Sequence, residues 1–204
     1  MKKFLKVLTI IILSILIILF AIVIILFIKS KTWERNFQSE MNPHYLVNDS
    51  ILPEEFDRRV EEYILSKEST DFLTLSPEEV GHTVFGSLAQ MVEESVLETT
   101  NVYIEPSKGV WKICARARLR DVRNVYAWVC ADVTKDDMQT AQIYLKNLEI
   151  QGIDIGKIYP GSLIMINQGI AEAVVIANEN GFVGRVFENM ELLEDELIIK
   201  GFLY

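Results

Sequence analysis

Hydrophobic and polar positions along the chain fall into successive patterns, each with its own period. From Val7 to Ile28 there are 22 residues of which only Thr9 and Ser14 are not apolar. At about 1.5 Å of rise per residue such a helix is about 33 Å long, enough for a hydrocarbon core of about 30 Å. Cleavable secretory signals have apolar cores of about 7–15 residues followed by a small-x-small site. This run ends Leu26-Phe27-Ile28-Lys29-Ser30-Lys31, which has no such site. The pattern therefore predicts an uncleaved transmembrane signal-anchor over residues 1–30. Residues 31–52 turn polar and hold no period, with Asn36, Gln38, Asn42, Pro43, Asn48, Asp49 and Ser50. They predict a tether, in which His44 is a solvated linker residue.

Helical spacing begins after Pro53, a residue suited to a first helical turn. Phe56, Val60, Tyr63 and Ile64 recur on one face, with Arg58, Arg59, Glu61 and Glu62 between them. A second helix starts at Ser76-Pro77-Glu78-Glu79, a capping box, with Leu75 and Val80 placed as its hydrophobic staple. Its apolar stripe is Val80, Val84, Phe85, Leu88, Met91, Val92 and Val96. A stripe of that width packs against another layer, here expected to be a sheet.

From Val102 the period becomes two, most clearly between Trp111 and Val133. The odd positions Trp111, Ile113, Ala115, Ala117 and Leu119, then Val125, Ala127, Val129, Ala131 and Val133, are all apolar. The even positions carry Lys112, Cys114, Arg116, Arg118, Arg120, Asn124, Tyr126, Trp128, Cys130 and Asp132. This predicts two strands, each with one buried face. A tight turn around Asp121-Val122-Arg123 gives an antiparallel register in which partner numbers sum to about 244, an estimate that follows from the turn position.

That register sets Cys114 opposite Cys130, Arg116 opposite Trp128 and Arg118 opposite Tyr126, on the face away from the small-residue core. Cross-strand Cβ atoms stand about 4.5–5.5 Å apart, so the cysteines are within reach of a disulfide. They would pair in an oxidising compartment and stay reduced in the cytoplasm; two unpaired thiols on a strand surface is the other reading. Arg116, Arg118 and Arg120, with Lys112 and Arg123, form a cationic face that can stack on Trp128 and Tyr126 or hold a phosphate headgroup or an acidic partner. A solvated face paired with acidic side chains explains the same residues.

Alternation resumes at Ala141, Ile143 and Leu145, changes parity at Leu148 and Ile150, and changes back at Ile153 and Ile155. Two slips predict bulges bending a long strand at Gly152 and Gly156. After Tyr159-Pro160-Gly161, the stretch Leu163 to Ala177 is too long for a strand and too broken by Asn167, Gln168 and Glu172 for a membrane span. It predicts a mostly buried helix closed by Asn178-Glu179-Asn180-Gly181. Val186 to Leu192 and Leu197 to Phe202, around Glu194-Asp195, predict a closing hairpin.

Helices followed by a strand meander, a helix and a hairpin give an α+β class with an antiparallel sheet, in one domain over residues 53–204. The small inner residues Ala115, Ala117, Ala127 and Ala131 suggest a curled sheet around the long apolar helix. Either the helix approaches closely or an elongated apolar cavity remains, lined by these alanines and by Leu163, Ile166 and Ile170.

Charge narrows the partners. Without Lys2, Lys3 and Lys6, 17 basic residues face 29 acidic ones, a balance of about −12 beyond the anchor. Nucleic-acid binding needs a basic footprint that this lacks. Lys2, Lys3 and Lys6 before the anchor balance Lys29, Lys31 and Arg35 after it, so the positive-inside count ties. The short basic tail of a signal-anchor places the domain outside the cytoplasm, on a single-pass plasma-membrane protein. Catalysis finds little support: there are two histidines, no Gly-rich phosphate loop, no G-x-S-x-G and no H-E-x-x-H. Glu78 and His82 at i,i+4 read as a surface ion pair before a metal site. Glu93-Glu94, Asp136-Asp137 and Glu194-Asp195-Glu196 read as solvated carboxylates. No metal and no cofactor are implied.

The N-terminal anchor, Leu75-Ser76-Pro77-Glu78-Glu79, the meander ending near Gly156, the helix start at Pro160-Gly161 and the final hairpin together resemble the YpmS-like bacterial envelope proteins. More distantly, the element order over residues 53–204 is similar to tubular lipid-binding domains. The resemblance implies a membrane-tethered, non-enzymatic module holding a lipid or other long apolar ligand. Neither the paired cysteines nor the Arg-rich face belongs to that pattern. The alternative is a structural or accessory subunit that docks on an envelope protein through the anchor and the Arg-rich face.

Overall fold

The computed structural model describes residues 2–66, 68, 70–122, 125–135, 141–179 and 185–203. Two compact units divide them: residues 1–41 with 151–153, and residues 42–150 with 154–204.

The first unit is built on α1 (Lys2–Glu40), one uninterrupted helix. It is long and apolar enough to cross a membrane, and the apolar side chains from Leu16 to Ile28 are all exposed. Within the expected tether over 31–52, the helix continues through Glu40. No Pro or Gly intervenes before Pro43, and Glu34 takes Lys31 Nζ at 2.8 Å and Gln38 at 3.4 Å, i,i+3 and i,i+4 pairs that support a helix. Trp33 and Phe37 stack at 4.8 Å between centroids. In the same unit Gly152, at φ 73°, leaves the space of its missing Cβ to the Trp33 indole.

The second unit holds two antiparallel sheets apart from Ile153, and neither is strongly curled. The larger has the order β1-β3-β4-β5-β6-β7, from β1 (Leu46–Val47), β3 (Leu97–Glu105), β4 (Val110–Leu119), β5 (Tyr126–Lys135), β6 (Ile143–Ile150) and β7 (Ile153–Asp154). The smaller has the order β2-β9-β8, from β2 (Thr70–Leu75), β8 (Arg185–Leu192) and β9 (Leu197–Leu203). The hairpin of β8 and β9 is legible in the sequence; β2, which joins it, is not. Leu46 and Val47 pair with Tyr103 and Val102, so part of the expected tether is a strand.

Helix α2 (Glu54–Leu65) begins after Pro53 as expected and buries Tyr63. A Cβ on Gly201 would overlap the Tyr63 hydroxyl and stand 2.9 Å from the Val186 carbonyl, which makes glycine the residue that admits this ring against β9. Helix α3 (Pro77–Met91) carries the capping box in full, Ser76 Oγ accepting from Glu79 N and Glu79 accepting from Ser76 N. Arg59 completes the arrangement by donating to the Glu79 carboxylate and, at 2.8 Å, to the Thr74 carbonyl. Val80, Val84, Phe85 and Leu88 pack on a core of Val47, Val102, Ile104, Trp111, Val133 and Leu192. Met91 and Val96, placed on that stripe from sequence, are exposed because the helix ends at Met91.

Strands β4 and β5 take the expected register, with Cys114 opposite Cys130, Arg116 opposite Trp128 and Arg118 opposite Tyr126. The expected turn at Arg123 and the carboxylates Asp136 and Asp137 lie outside the described residues, as do Asn180 and Gly181. Only one of the two parity slips is a bulge, between the pairs Asp132–Asn147 and Val133–Leu145. The other is a tight turn: Gln151 and Gly152 have φ 53° and 73°, the pair of positive values that a two-residue type I′ hairpin requires. A short helix α4 (Ile155–Ile158) follows, capped by Asp154, whose Oδ1 accepts from Lys157 N at 2.9 Å.

Candidate functional site

Helix α5 (Pro160–Glu179) sits differently from its expected place. It is anchored by Asn167, whose Oδ1 accepts from the Leu145 N–H at 2.7 Å and whose Nδ2 donates to the Leu145 carbonyl at 3.0 Å. An Asn that takes both main-chain groups of a strand residue occupies the position of a neighbouring strand. Thus α5 runs beside the outer edge of β6, and Asn167 satisfies edge groups that would otherwise be left open. Asn167→Leu is expected to cost about 1–3 kcal/mol, the usual penalty for leaving buried groups unpaired. Amide hydrogen exchange at Leu145 is the readout, and it should accelerate more than exchange at Ile104.

Lying beside the sheet rather than inside it, α5 cannot be the mostly buried helix that its composition predicts. Leu163, Asn167, Ile170, Ala171 and Val174 face inward and are half-buried. Ile164, Met165, Val175 and Ile176 are each more than half exposed. Ile164 and Met165 lie 11 residues before Val175 and Ile176, about three turns, so all four share the outer face with Gln168 and Glu172. These side chains form two apolar pairs, one near each end of that face, with Gln168 and Glu172 between them.

The other expected ligand residues divide. Ala117 and Ala127 stand opposite each other, with Ala115 and Ala131 nearby on the same strands, all half-buried. Ala115 packs on the core beneath α3. Leu163 and Ile170 belong to the inner face of α5, and Ile166 is exposed on its flank. Among the described residues the main packing partners of α5 are β6, α4 and β8. Two clefts of the second unit, one of 390 Å³ lined by Gly86, Gln90, Glu93, Glu98 and Arg120 among others, and one of 280 Å³ lined by Arg59, Tyr63 and Phe72 among others, include none of these residues.

The Arg-rich face divides between buried and exposed positions. Cys114, Trp128 and Cys130 are almost fully buried, at 0%, 2% and 2% exposure, whereas Arg118 and Arg120 are exposed, so the even positions are buried only in part. Cys114 and Cys130 are joined by a disulfide. Arg116 lies with its guanidinium carbon 3.6 Å from the Tyr126 ring centroid, and its Nε is buried without a hydrogen-bond acceptor among the described residues. Arg118 is paired with Glu98 across the β3–β4 ladder. Arg120 donates to the Glu93 carbonyl at 2.9 Å, at the rim of the larger cleft. A cystine and a tryptophan are apolar whatever their neighbours in sequence, and they bury part of a face that reads as cationic.

His82 holds a loop, with Nδ1 2.9 Å from the Asp49 carbonyl and 3.0 Å from its carboxylate; Glu78 is 3.9 Å from Nε2. No family profile, curated protein or solved structure matches the chain. Its surfaces and their chemistry are what point to a role.

A polar cluster borders the smaller sheet. Lys135 donates to Asn189 Oδ1, Asn189 Nδ2 donates to Glu191 at 3.0 Å, and Glu191 pairs with Lys200 at 2.7 Å. Burial lowers the Lys135 ammonium pKa, while the Lys200 hydrogen bond holds the Glu191 carboxyl below its ordinary value. With the folded value below the unfolded one, the contribution of Glu191 is present above about pH 4.3, the ordinary Glu value, and is lost as pH falls through the folded value. Glu191→Gln should therefore melt below wild type at pH 6 and approach it toward pH 3, as measured by thermal midpoints across that range.

Proposed function

We propose that the protein is a single-pass membrane protein of the cell envelope. Its folded unit is a non-enzymatic module, outside the cytoplasm, that engages lipid or another long apolar ligand through the outer face of α5. The observation that carries this reading is the exposed row Ile164, Met165, Val175 and Ile176 on a helix fixed to a sheet edge. Covering such side chains is favourable at about 25 cal/mol per Å² of apolar surface removed from water. Helix α1 supplies the membrane tether, and the buried disulfide suits an oxidising compartment. The non-enzymatic part rests on the sequence, and the YpmS-like resemblance points the same way.

Native mass spectrometry of the full chain released from nanodiscs tests the ligand. Wild type is expected to retain lipid adducts that a variant with Ile164, Met165, Val175 and Ile176 all changed to Ser loses. Equal adducts on both proteins would remove α5 from the reading.

Docking on an envelope protein is the second reading, and β2 favours it. This strand is the outer member of its sheet, with Phe72 at 61% exposure beside the smaller cleft, an apolar side chain on which a partner could pack.

A further inference from the structure

We infer that the outer face of α5 also takes a second copy of this chain, with the two helices antiparallel across a two-fold axis, and that this pair is the ligand-free state of the face. The inference rests on the preceding reading only for the ligand that the pair excludes. It starts from the spacing of side chains along one helix.

The two apolar pairs of that face are placed symmetrically. The numbers of Ile164 and Ile176, of Met165 and Val175, and of Gln168 and Glu172 each sum to 340. In a two-fold pair of identical helices running in opposite directions, every residue stands level with the one that completes a constant sum, and both copies use the same patch. A sum of 340 sets each apolar pair of one copy against the apolar pair at the other end of its counterpart. At 3.6 residues per turn all six positions fall within about 120° around the helix, on the side away from Leu163, Asn167 and Val174. The exposures of the four apolar side chains, 60%, 65%, 53% and 55%, leave area on every one of them for such a contact.

The polar centre of the face complements itself in the same register. The Gln168 amide of one copy meets the Glu172 carboxylate of the other, twice by symmetry. A parallel pair would set Glu172 against Glu172, like charges in contact, and α5 has no basic side chain to offset them. Gly169 borders the face within one residue of the axis level. A Cβ there would meet nothing among the described residues. Glycine is unfavourable inside a helix, and here it leaves clearance for the backbone of a second one.

A contact between two single helix faces is smaller than the roughly 1,200–2,000 Å² that a stable complex buries, so the pair is weak and exchangeable. A weak pair is what a face shared with a ligand requires. Confinement of both copies to one membrane by α1 offsets the small area by raising their effective concentration.

The test uses the full chain, disulfide intact, in phosphatidylcholine nanodiscs assembled with two copies each. Chains carrying Met165→Cys and chains carrying Val175→Cys are mixed and treated with a short bifunctional thiol crosslinker, then released for native mass spectrometry. Both positions are more than half exposed, so the changes remove little packing within the chain. In the inferred pair, 165 is level with 175 of the other copy, whereas 165 and 165 are about 15 Å apart along the axis. Crosslinks between 165 and 175 are therefore expected at least about fivefold above those between 165 and 165, a distance outside disulfide-scale reach. The crosslinked pairs should also lack the lipid adducts that uncrosslinked chains keep and the fourfold Ser variant of the α5 face loses. Equal yields for the two combinations would overturn the pairing, and α5 adducts on those chains would leave the lipid reading standing. Selective crosslinks on pairs that keep the α5 adducts would overturn the pair as the ligand-free state. Selective crosslinks with no α5 adducts on any chain would uphold the pair and remove lipid from the face.

Discussion

Replacing Trp111 by Ala is expected to remove about 3–5 kcal/mol of stability, the range for truncating a buried tryptophan. Trp111 is 1% exposed in the core beneath α3 and packs with Val102, Ile104, Val133 and Leu192. Its Nε1 also donates to the Leu193 carbonyl at 2.7 Å. That bond ties β4 of the large sheet to the turn after β8 of the small one, so one side chain joins both sheets. On a domain stability of about 5–15 kcal/mol the loss is severe. Trp111→Phe separates the two contributions: it keeps most of the ring and leaves Leu193 without the N–H, at an expected cost of about 1–3 kcal/mol. Urea denaturation followed by circular dichroism measures both. Equal midpoints for wild type and Trp111→Ala would contradict the core as described.

The disulfide is the second large term. Cys114 and Cys130 are 16 residues apart, and closing a loop of that size is worth about 3 kcal/mol in the chain-entropy account. The double change Cys114→Ser, Cys130→Ser is expected to lose that amount, and more for burying two hydroxyls where nothing is exposed. Burial also protects the bond. In native buffer a thiol reductant should open it only as fast as β4 and β5 separate, so free-thiol appearance should track unfolding across a denaturant series. Rapid reduction of the native protein would show that the cystine is accessible and that the even face is open.

Period-two alternation makes the β4–β5 register legible, because a one-residue slip would exchange every side chain between faces. The capping box at Ser76 and Glu79 fixes the start of α3 for the same local reason. What alternation does not give is the burial of part of the even face. Arg116, Arg118 and Lys112 frame Cys114, Trp128 and Cys130 in sequence, and the apolar character of the latter three decides the packing. The end of α1 is not legible because polar composition between Lys31 and Glu40 resembles irregularity, whereas i,i+3 and i,i+4 pairs at Glu34 sustain a helix there. Helix α5 is the element whose misreading matters most for function. A helix apolar all round is ordinarily buried, and only the main-chain pairing of Asn167 with Leu145, a contact across 22 residues, shows that it flanks an edge. Ile164, Met165, Val175 and Ile176 carry a weak signal, a shared face three turns apart, which a uniformly apolar composition hides.

The exposed face of α5 as a surface for lipid is the central claim, and photolabelling tests it most directly. Full-length protein in nanodiscs would be irradiated with a phospholipid carrying a photoreactive acyl chain, digested, and mapped by mass spectrometry. The account predicts adducts on the α5 peptide at Ile164, Met165, Val175 or Ile176 in addition to those on α1, and none on the exposed face of α3 around Ser87. Adducts confined to α1 would contradict it.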